Sequence, residues 1–376
     1  MTQRSSALGA ALVAAFGTAP VAVAAVMPAA AQATSGFTVV QDDWELVCDN
    51  TRTCRAAGYH PFGGTSRVSV LLVRAGGPRT TVTGHVRLGE SDDEADTAAA
   101  WPARLALRIG ERYIGTITLR ANGATDLPGP LVSALVAALA RREGDAAEVT
   151  WVSADASPRP PWRLSSRGAI EVLAAMDAHQ GRIGTPGALV APGTRDERLV
   201  PPARPAPILV AARVPITTTA DRALGRRKPA AMLRAMRDAM RDAMRQRGAD
   251  VGRCEDLDDP DQRDVAWDVW RLSATRLAVT TPCWLAAYNA GSGLWVVTDR
   301  PPYRATFVTN GATEWKGPEA WSEQRGRGVG DCLSRTQWTW DGRRFVLARD
   351  ETTGLCREVA AGGTWSLPTW VTRDER

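Results

Sequence analysis

The residues of this chain best suited to chemistry are its six cysteines, at positions 48, 54, 254, 283, 332 and 356. A cysteine can ligate a metal, exchange electrons or close a disulfide, and the spacing discriminates among these. Redox catalysts use C-x-x-C, in which the short ring lowers a thiol pKa, and the chain has no such motif. Structural zinc sites want closely spaced cysteines with histidines nearby. Cys48 and Cys54 are wider apart than that, and His60, His85 and His179 are scattered. An even cysteine count in an oxidising compartment reads as disulfides. Many connectivities are open, and neighbour pairing is the simplest: Cys48–Cys54, Cys254–Cys283 and Cys332–Cys356.

Other groupings invite chemistry and fail a test of context. Met232, Met236, Met240 and Met244 recur at every fourth residue. Thioethers suit Cu(I), but methionine more often fills irregular gaps in a core. Glu90, Asp92, Asp93, Glu94 and Asp96 form one acidic cluster, and Glu255, Asp256, Asp258, Asp259, Asp261 and Asp264 form another. Calcium loops need a glycine at their bend, which neither cluster has. "GRGVGD", residues 326–331, precedes a strand and not a helix, so it is no dinucleotide loop. No nucleophile elbow, H-E-x-x-H or Walker loop is present. The chain therefore offers no catalytic residue, no metal ligand set and no cofactor. A surface remains: Tyr288, Asn289, Arg325, Arg327 and Asp331, with several tryptophans. Arginine and tryptophan are favoured at recognition hot spots.

The elements that must position these residues start behind a leader. Arg4 precedes an apolar, alanine-rich run that ends in Ala31-Gln32-Ala33. That pattern describes a cleavable secretory signal over residues 1–33, followed by a soluble exported chain with no spanning segment. The periplasm is the expected location. The net charge is +5, with acids interspersed among arginines and lysine only at 228 and 316. Nucleic-acid binding needs a clustered basic footprint, so that partner is set aside.

The fold class expected is α+β, with two antiparallel-sheet-plus-helix domains braced by disulfides. Residues 34–158 form the first domain. Strands are expected over Phe37–Val47, Cys54–Tyr59, Arg67–Arg74 and Arg79–Leu88, with a hairpin over Arg104–Ile109 and Tyr113–Leu119. A helix is expected over Leu127–Arg142, with arginines in its last turn. Residues 159–227 supply a helix, capped by Ser166 and running to His179, then a Pro/Arg-rich interdomain crossing. Residues 228–376 supply a Met/Arg helix and a Trp-rich antiparallel sheet, holding ten of the 14 tryptophans. In "TQWTWDGRRFVLARD", Asp341-Gly342 reads as a two-residue hairpin turn. It would pair Trp340 with Arg343 and Trp338 with Phe345, with Cys332 and Cys356 on opposite arms.

At these residues the chain resembles one uncharacterised family of exported proteobacterial proteins known for six cysteines. The resemblance rests on "DWELVCDNTRTCRAAGY", "MDAHQGRIGT", "PCWLAAYNAG", "GRGVGDCLSRTQWTWDGRRFVL" and "TWSLPTW", in order along nearly the whole chain. The opening segment is similar, more weakly, to the invasion-associated locus B proteins. Trp284 and Leu333 depart from the family pattern beside their cysteines. The resemblance implies export and a stapled architecture, and it implies no reaction. The expected role is a non-enzymatic envelope protein that binds a protein, peptide or glycan through its last part. The alternatives are a hydrolase of envelope polymers or a copper- or calcium-binding protein.

Overall fold

The computed structural model of the chain describes residues 36–89, 101–142, 147–155, 160–247, 254, 257 and 265–374. The expected leader and both acidic clusters lie outside the described residues. Within them the fold is α+β, mostly antiparallel, with four helices. The first sheet runs β1 (Phe37–Gln41), β2 (Trp44–Cys48), β3 (Cys54–Tyr59), β4 (Val68–Arg74), β5 (Val82–Leu88) and β8 (Ala124–Leu127). Phe37–Val47 is not one strand, as the apolar run suggested. The chain reverses at Asp42-Asp43 and pairs Gln41 with Trp44. Asp42 takes φ +49°, a conformation that aspartate tolerates better than most residues.

A second sheet, in the order β10 (Trp162–Leu164), β9 (Val149–Ser153), β6 (Arg104–Ile109) and β7 (Arg112–Thr118), shares a core with the first. Two helices complete that core: α1 (Gly129–Leu139) and α2 (Ala169–His179). Helix α1 is shorter than its apolar pattern. Its expected first residue, Leu127, instead ends β8 and pairs with Gly84 of β5, and Arg141 and Arg142 lie beyond its last turn. Ser166 does not cap α2; Gly168 does, at φ +84°. A side chain there would strike the Gln41 carbonyl, 2.0 Å from the position of a Cβ, so only glycine lets the helix start against β1.

The buried polar residues of "MDAHQGRIGT" tie α2 to its surroundings. Asp177, Gln180 and Arg182 are all enclosed. Gln180 donates to the Arg52 and Arg74 carbonyls at 3.0 and 2.9 Å. The Asp177 carboxylate accepts from Leu189 N at 2.6 Å and Val190 N at 3.1 Å. Arg182 donates to Glu197 Oε1 at 2.7 Å, to Gln180 Oε1 at 3.0 Å and to the Gly77 carbonyl. Burial next to Arg182 pushes the Arg74 guanidinium down to about 10.

The last part begins with α3 (Thr219–Arg227) and α4 (Ala230–Arg247). Helix α3 lies in the segment read as a crossing. Thr218 and Asp221 form its capping box, which satisfies two otherwise orphaned N–H groups. Helix α4 packs on a sheet in the order β12 (Asp268–Arg271), β13 (Arg276–Leu285), β14 (Ala290–Thr298) and β15 (Ala305–Ala312). Met232 and Met236 have no exposed surface and Met240 is 6% exposed; Trp295 donates its indole N–H to the Met236 carbonyl at 3.1 Å. The methionine stripe is a core face. β11 (Ile208–Leu209) and β21 (Arg373–Asp374) form a two-stranded parallel sheet. The opposite side of the β12–β15 sheet packs on a fifth sheet, β16 (Glu314–Lys316), β17 (Glu319–Arg325), β18 (Leu333–Trp340), β19 (Phe345–Thr352) and β20 (Leu367–Val371).

The hairpin of β18 and β19 has a different register from the one expected. Trp340 pairs with Phe345 and Trp338 with Leu347. The loop is longer than two residues because the Asp341 carboxylate accepts from both Arg343 N at 2.7 Å and Arg344 N at 2.8 Å. An aspartate turn of this kind outcompetes the tight Asp-Gly reversal.

All three disulfides join neighbours: Cys48–Cys54, Cys254–Cys283 and Cys332–Cys356. Cys48 lies opposite Cys54 across β2 and β3. Cys332 and Cys356 close the open end of the β18–β19 hairpin.

Strand β2 is buried on both faces, which accounts for its unbroken Trp-Glu-Leu-Val-Cys run. Trp44 and Leu46 enter the first core, while Val47 meets Val359 and Leu367 from the far end of the chain. Glu45 shares that second face and is 3% exposed. Its Oε1 accepts from Tyr59 Oη and from Leu355 N, both at 2.7 Å. Gly354 passes so close that a Cβ there would lie 2.1 Å from Tyr59 Oη. Burial raises the Glu45 carboxyl above its usual range, against the opposing pull of Tyr59, Leu355 and Arg357. A carboxyl that is raised in the folded state binds its proton more tightly there than in the unfolded chain. Its contribution to stability therefore falls as pH rises from the unfolded value near 4.3 through the folded value. Glu45→Gln keeps an acceptor for both donors and cannot ionise. Urea unfolding at several pH values should show this variant at least as stable as the parent at neutral pH, with the parent's loss between acid and neutral pH diminished. A variant that is less stable at every pH would overturn this account.

Candidate binding site

The open side of the fifth sheet carries alternate residues of three strands. β17 presents Trp321, Glu323 and Arg325, β18 presents Arg335 and Gln337, and β19 presents Arg349 and Glu351. The register arranges them in rows across the strands. Glu323 lies opposite Arg335, which lies opposite Glu351; Trp321 lies opposite Gln337, which lies opposite Arg349. Arg335 donates to Glu323 Oε2 at 2.8 Å. Arg349 donates through Nε at 3.0 Å and Nη2 at 2.7 Å to Glu351 Oε2. These residues line an open cleft of about 630 Å³, which the β13–β14 turn borders with Tyr288 and Asn289.

Three of the five surface residues expected from the sequence meet at this cleft. Tyr288 is 47% exposed. Asn289 is a clip between elements: Nδ2 donates to the Arg325 carbonyl at 2.9 Å, and Oδ1 accepts from Arg325 N at 2.8 Å. It continues the β17 ladder with a side chain. The exposed Arg325 guanidinium has no ion-pair partner among the described residues. The Trp321 indole N–H likewise has no acceptor among them.

Arg327 and Asp331 are not among the residues that line the cleft. Arg327 grips Asp331 with two bonds, at 2.8 and 2.7 Å, and reaches Glu358 at 2.9 Å. Glu358 also pairs with Arg67 at 2.6 Å. Burial would raise the Asp331 carboxyl, but the Arg327 bonds and the Glu358 N–H outweigh it and hold it below the ordinary range. This cluster joins the loop before Cys332 to the first sheet.

The residues that the sequence reading missed are Trp321, Arg335, Gln337 and Arg349. A period-two pattern, W-x-E-x-R over 321–325, was the available signal for β17.

The cleft is lined by hydrogen-bond donors and aromatic rings together with three carboxylates, of which Glu323 and Glu351 accept from arginines and Glu314 is exposed. The histidines lie elsewhere. His60 is buried, and that burial lowers its pKa. His85 meets Asp126 at 2.7 Å. His179 stacks on Phe37 with centroids 4.7 Å apart. Two groups of potential metal donors occur among the described residues: Cys48, Cys54 and His179, and Asp331, Cys332 and Cys356. In both, the sulfurs are already joined in a disulfide and are not thiolates, the form that ligates metal. No helix among the described residues is long and apolar enough to cross a membrane.

A family model described as "Protein of unknown function (DUF1176)" matches residues 39–372. The chain belongs to this family. Among curated proteins it is similar to the "Uncharacterized protein YpfG" of Escherichia coli (strain K12), 26% identical over 353 residues, covering 88% of this chain and 92% of that protein. No solved structure matches the chain. The motifs that carry the likeness to the family turn out to be largely internal ties. Trp44 donates to the Ser165 carbonyl at 2.7 Å, Trp365 to Ser69 Oγ at 2.7 Å and Trp370 to the Leu347 carbonyl at 3.0 Å. In this DUF1176 chain the same motifs also supply part of the cleft, through Tyr288, Asn289, Arg335 and Gln337.

Proposed function

We propose that the chain is an exported, periplasmic, non-enzymatic protein that binds an envelope protein, peptide or glycan on the open face of its fifth sheet. The observation that carries this reading is the cleft itself. It holds an indole N–H and an exposed arginine guanidinium that have no partners among the described residues, beside an exposed tyrosine whose hydroxyl donates to the Gly326 carbonyl at 3.5 Å, on a sheet clipped at its edge by Asn289. A platform already fixed by its strand pairing loses little freedom on binding, which favours recognition. The three disulfides support export, because such bonds persist in oxidising compartments.

The test is capture of fractionated envelope material, both protein and glycan, by the purified chain and by Arg325→Ala and Trp321→Ala variants. Each variant should lose retention by about tenfold or more, as hot-spot truncations do, while thermal unfolding stays within about 0.5 kcal/mol, as for other surface substitutions. Equal retention by parent and both variants would refute the site. Turnover of an envelope polymer by the parent would refute the non-enzymatic reading.

A further inference from the structure

A second open cleft, of about 620 Å³, lies between α3, the start of β12 and β16. Trp270 and Trp315 form part of its wall as parallel rings, with centroids 5.8 Å apart and 1° between planes. Trp270 is fixed by an N–H bond to the Gly317 carbonyl at 3.0 Å. Arg222 and Arg226, one helical turn apart on α3, and Lys316 of β16 also line it. All three cations are exposed, and none has an ion-pair partner among the described residues. Arg271 also lines the cleft, but Asp221 and Asp299 answer its charge. Asp268 is the one acid that lines it.

The platform that carries the arginines is stiff. Thr218 and Asp221 cap α3, and Trp267 N donates to the Gly225 carbonyl at 3.3 Å. The Arg271 bonds to Asp221 hold that carboxyl down at about 2. Two guanidinium groups one turn apart suit a single acidic group, which accepts planar, paired hydrogen bonds. The indoles beside them suit the apolar face of a ring. A nucleic-acid strand would need a track of cations along its backbone with successive stacking rings; here the cations converge at one place.

We propose that this cleft binds an anionic saccharide, with a sugar ring against Trp270 and Trp315 and its carboxylate or phosphate between Arg222 and Arg226. The site is separate from the fifth-sheet cleft, and neither reading depends on the other.

Calorimetric titration of the full chain at low salt tests it with five probes: trigalacturonate, glucose 6-phosphate, maltotriose, inorganic phosphate and a thymidine oligonucleotide. At least one charged sugar should bind. Its dissociation constant should rise at least about tenfold in the Arg222→Ala/Arg226→Ala double variant, as expected for lost charge-assisted bonds. Lys316→Ala provides a second probe at a residue whose side chain makes no bond among the described residues, and it should weaken binding in the same direction. Binding of trigalacturonate alone would assign a carboxylate source, and of glucose 6-phosphate alone a phosphate source. The proposal is overturned if neither charged sugar binds at millimolar concentration, or if maltotriose, inorganic phosphate or the oligonucleotide binds as tightly. It is also overturned if a folded double variant, or Lys316→Ala, binds unchanged.

Discussion

Arg182→Met should lower the unfolding free energy by about 3–5 kcal/mol, the usual result of removing one partner from a buried ion pair. Arg182 has no exposed surface, yet its guanidinium serves Glu197, Gln180 and the Gly77 carbonyl together. Methionine fills the volume and satisfies none of them. Glu197 would keep only the donors of the surrounding loops, such as Gly187 N at 3.1 Å, and its charge would lose its counterpart. Lysine should rescue little, because an ammonium cannot span a forked set of acceptors. Urea unfolding of Arg182→Met, Glu197→Gln and the double variant would measure the coupling. The double variant should be less damaged than the sum of the singles, since removing both charges leaves neither unpaired. Strict additivity would show that Arg182 and Glu197 do not act as a pair.

Removing the Cys332–Cys356 bond should have an effect close to that of removing Cys254–Cys283, whose cysteines are 29 residues apart, because the chain-entropy contribution grows only slowly with loop length. Cys332 and Cys356 are 24 residues apart, and the chain-entropy model assigns a loop of that size about 3.5 kcal/mol. A Cys332→Ala/Cys356→Ala variant should therefore unfold at markedly lower urea concentration. The shorter Cys48–Cys54 loop, separated by 6, should cost about 2.4 kcal/mol on the same model. The longer loop should also show the larger local consequence. Cys332 follows Asp331, and Cys356 lies two residues before Glu358, so the bond holds together the Arg327–Asp331–Glu358 cluster. Hydrogen exchange at the Glu358 amide, which donates to Asp331 Oδ2 at 2.6 Å, should accelerate in the variant. Protection unchanged from the parent would show that the cluster stands without the staple.

The cysteine pairing was legible because close sequence neighbours have a low entropy of closure, and the export expected from the leader would favour oxidation. Helix α1 was legible from its 3.6-residue periodicity, and α4 from methionines and arginines recurring at every fourth residue. Helix α3 was hidden by the Pro- and Thr-rich composition around it, although Thr218 and Asp221 form a recognisable capping pattern. The single strand read over Phe37–Val47 failed because two apolar stretches, on either side of Gln41-Asp42-Asp43, were joined across the turn that the aspartates make. The hairpin register failed because one carboxylate, on Asp341, reorganised the loop. The cleft was legible only at its rim, at Tyr288, Asn289 and Arg325. Its floor depends on which residues of three strands come into line, and that is a property of register. Arg327 and Asp331 were expected at the binding surface, but they spend their charges on one another and on Glu358.

Strand β20 has a consequence for how the molecule comes into being. Asn50 exchanges hydrogen bonds with Val371 at 3.0 and 2.8 Å across a separation of 321 residues, and Glu45 and Ser69 find partners nearly as remote. A growing chain can therefore pair the strands of its first sheet from local material but cannot cover both faces of it. Until its final residues emerge, one whole side of β2 and β3 stays open, with a carboxylate and several apolar groups facing water. Contacts of such long range make folding slow. The unfinished polypeptide is thereby kept pliable until its end is released, and the loss of a few terminal residues would be felt first near the opposite terminus.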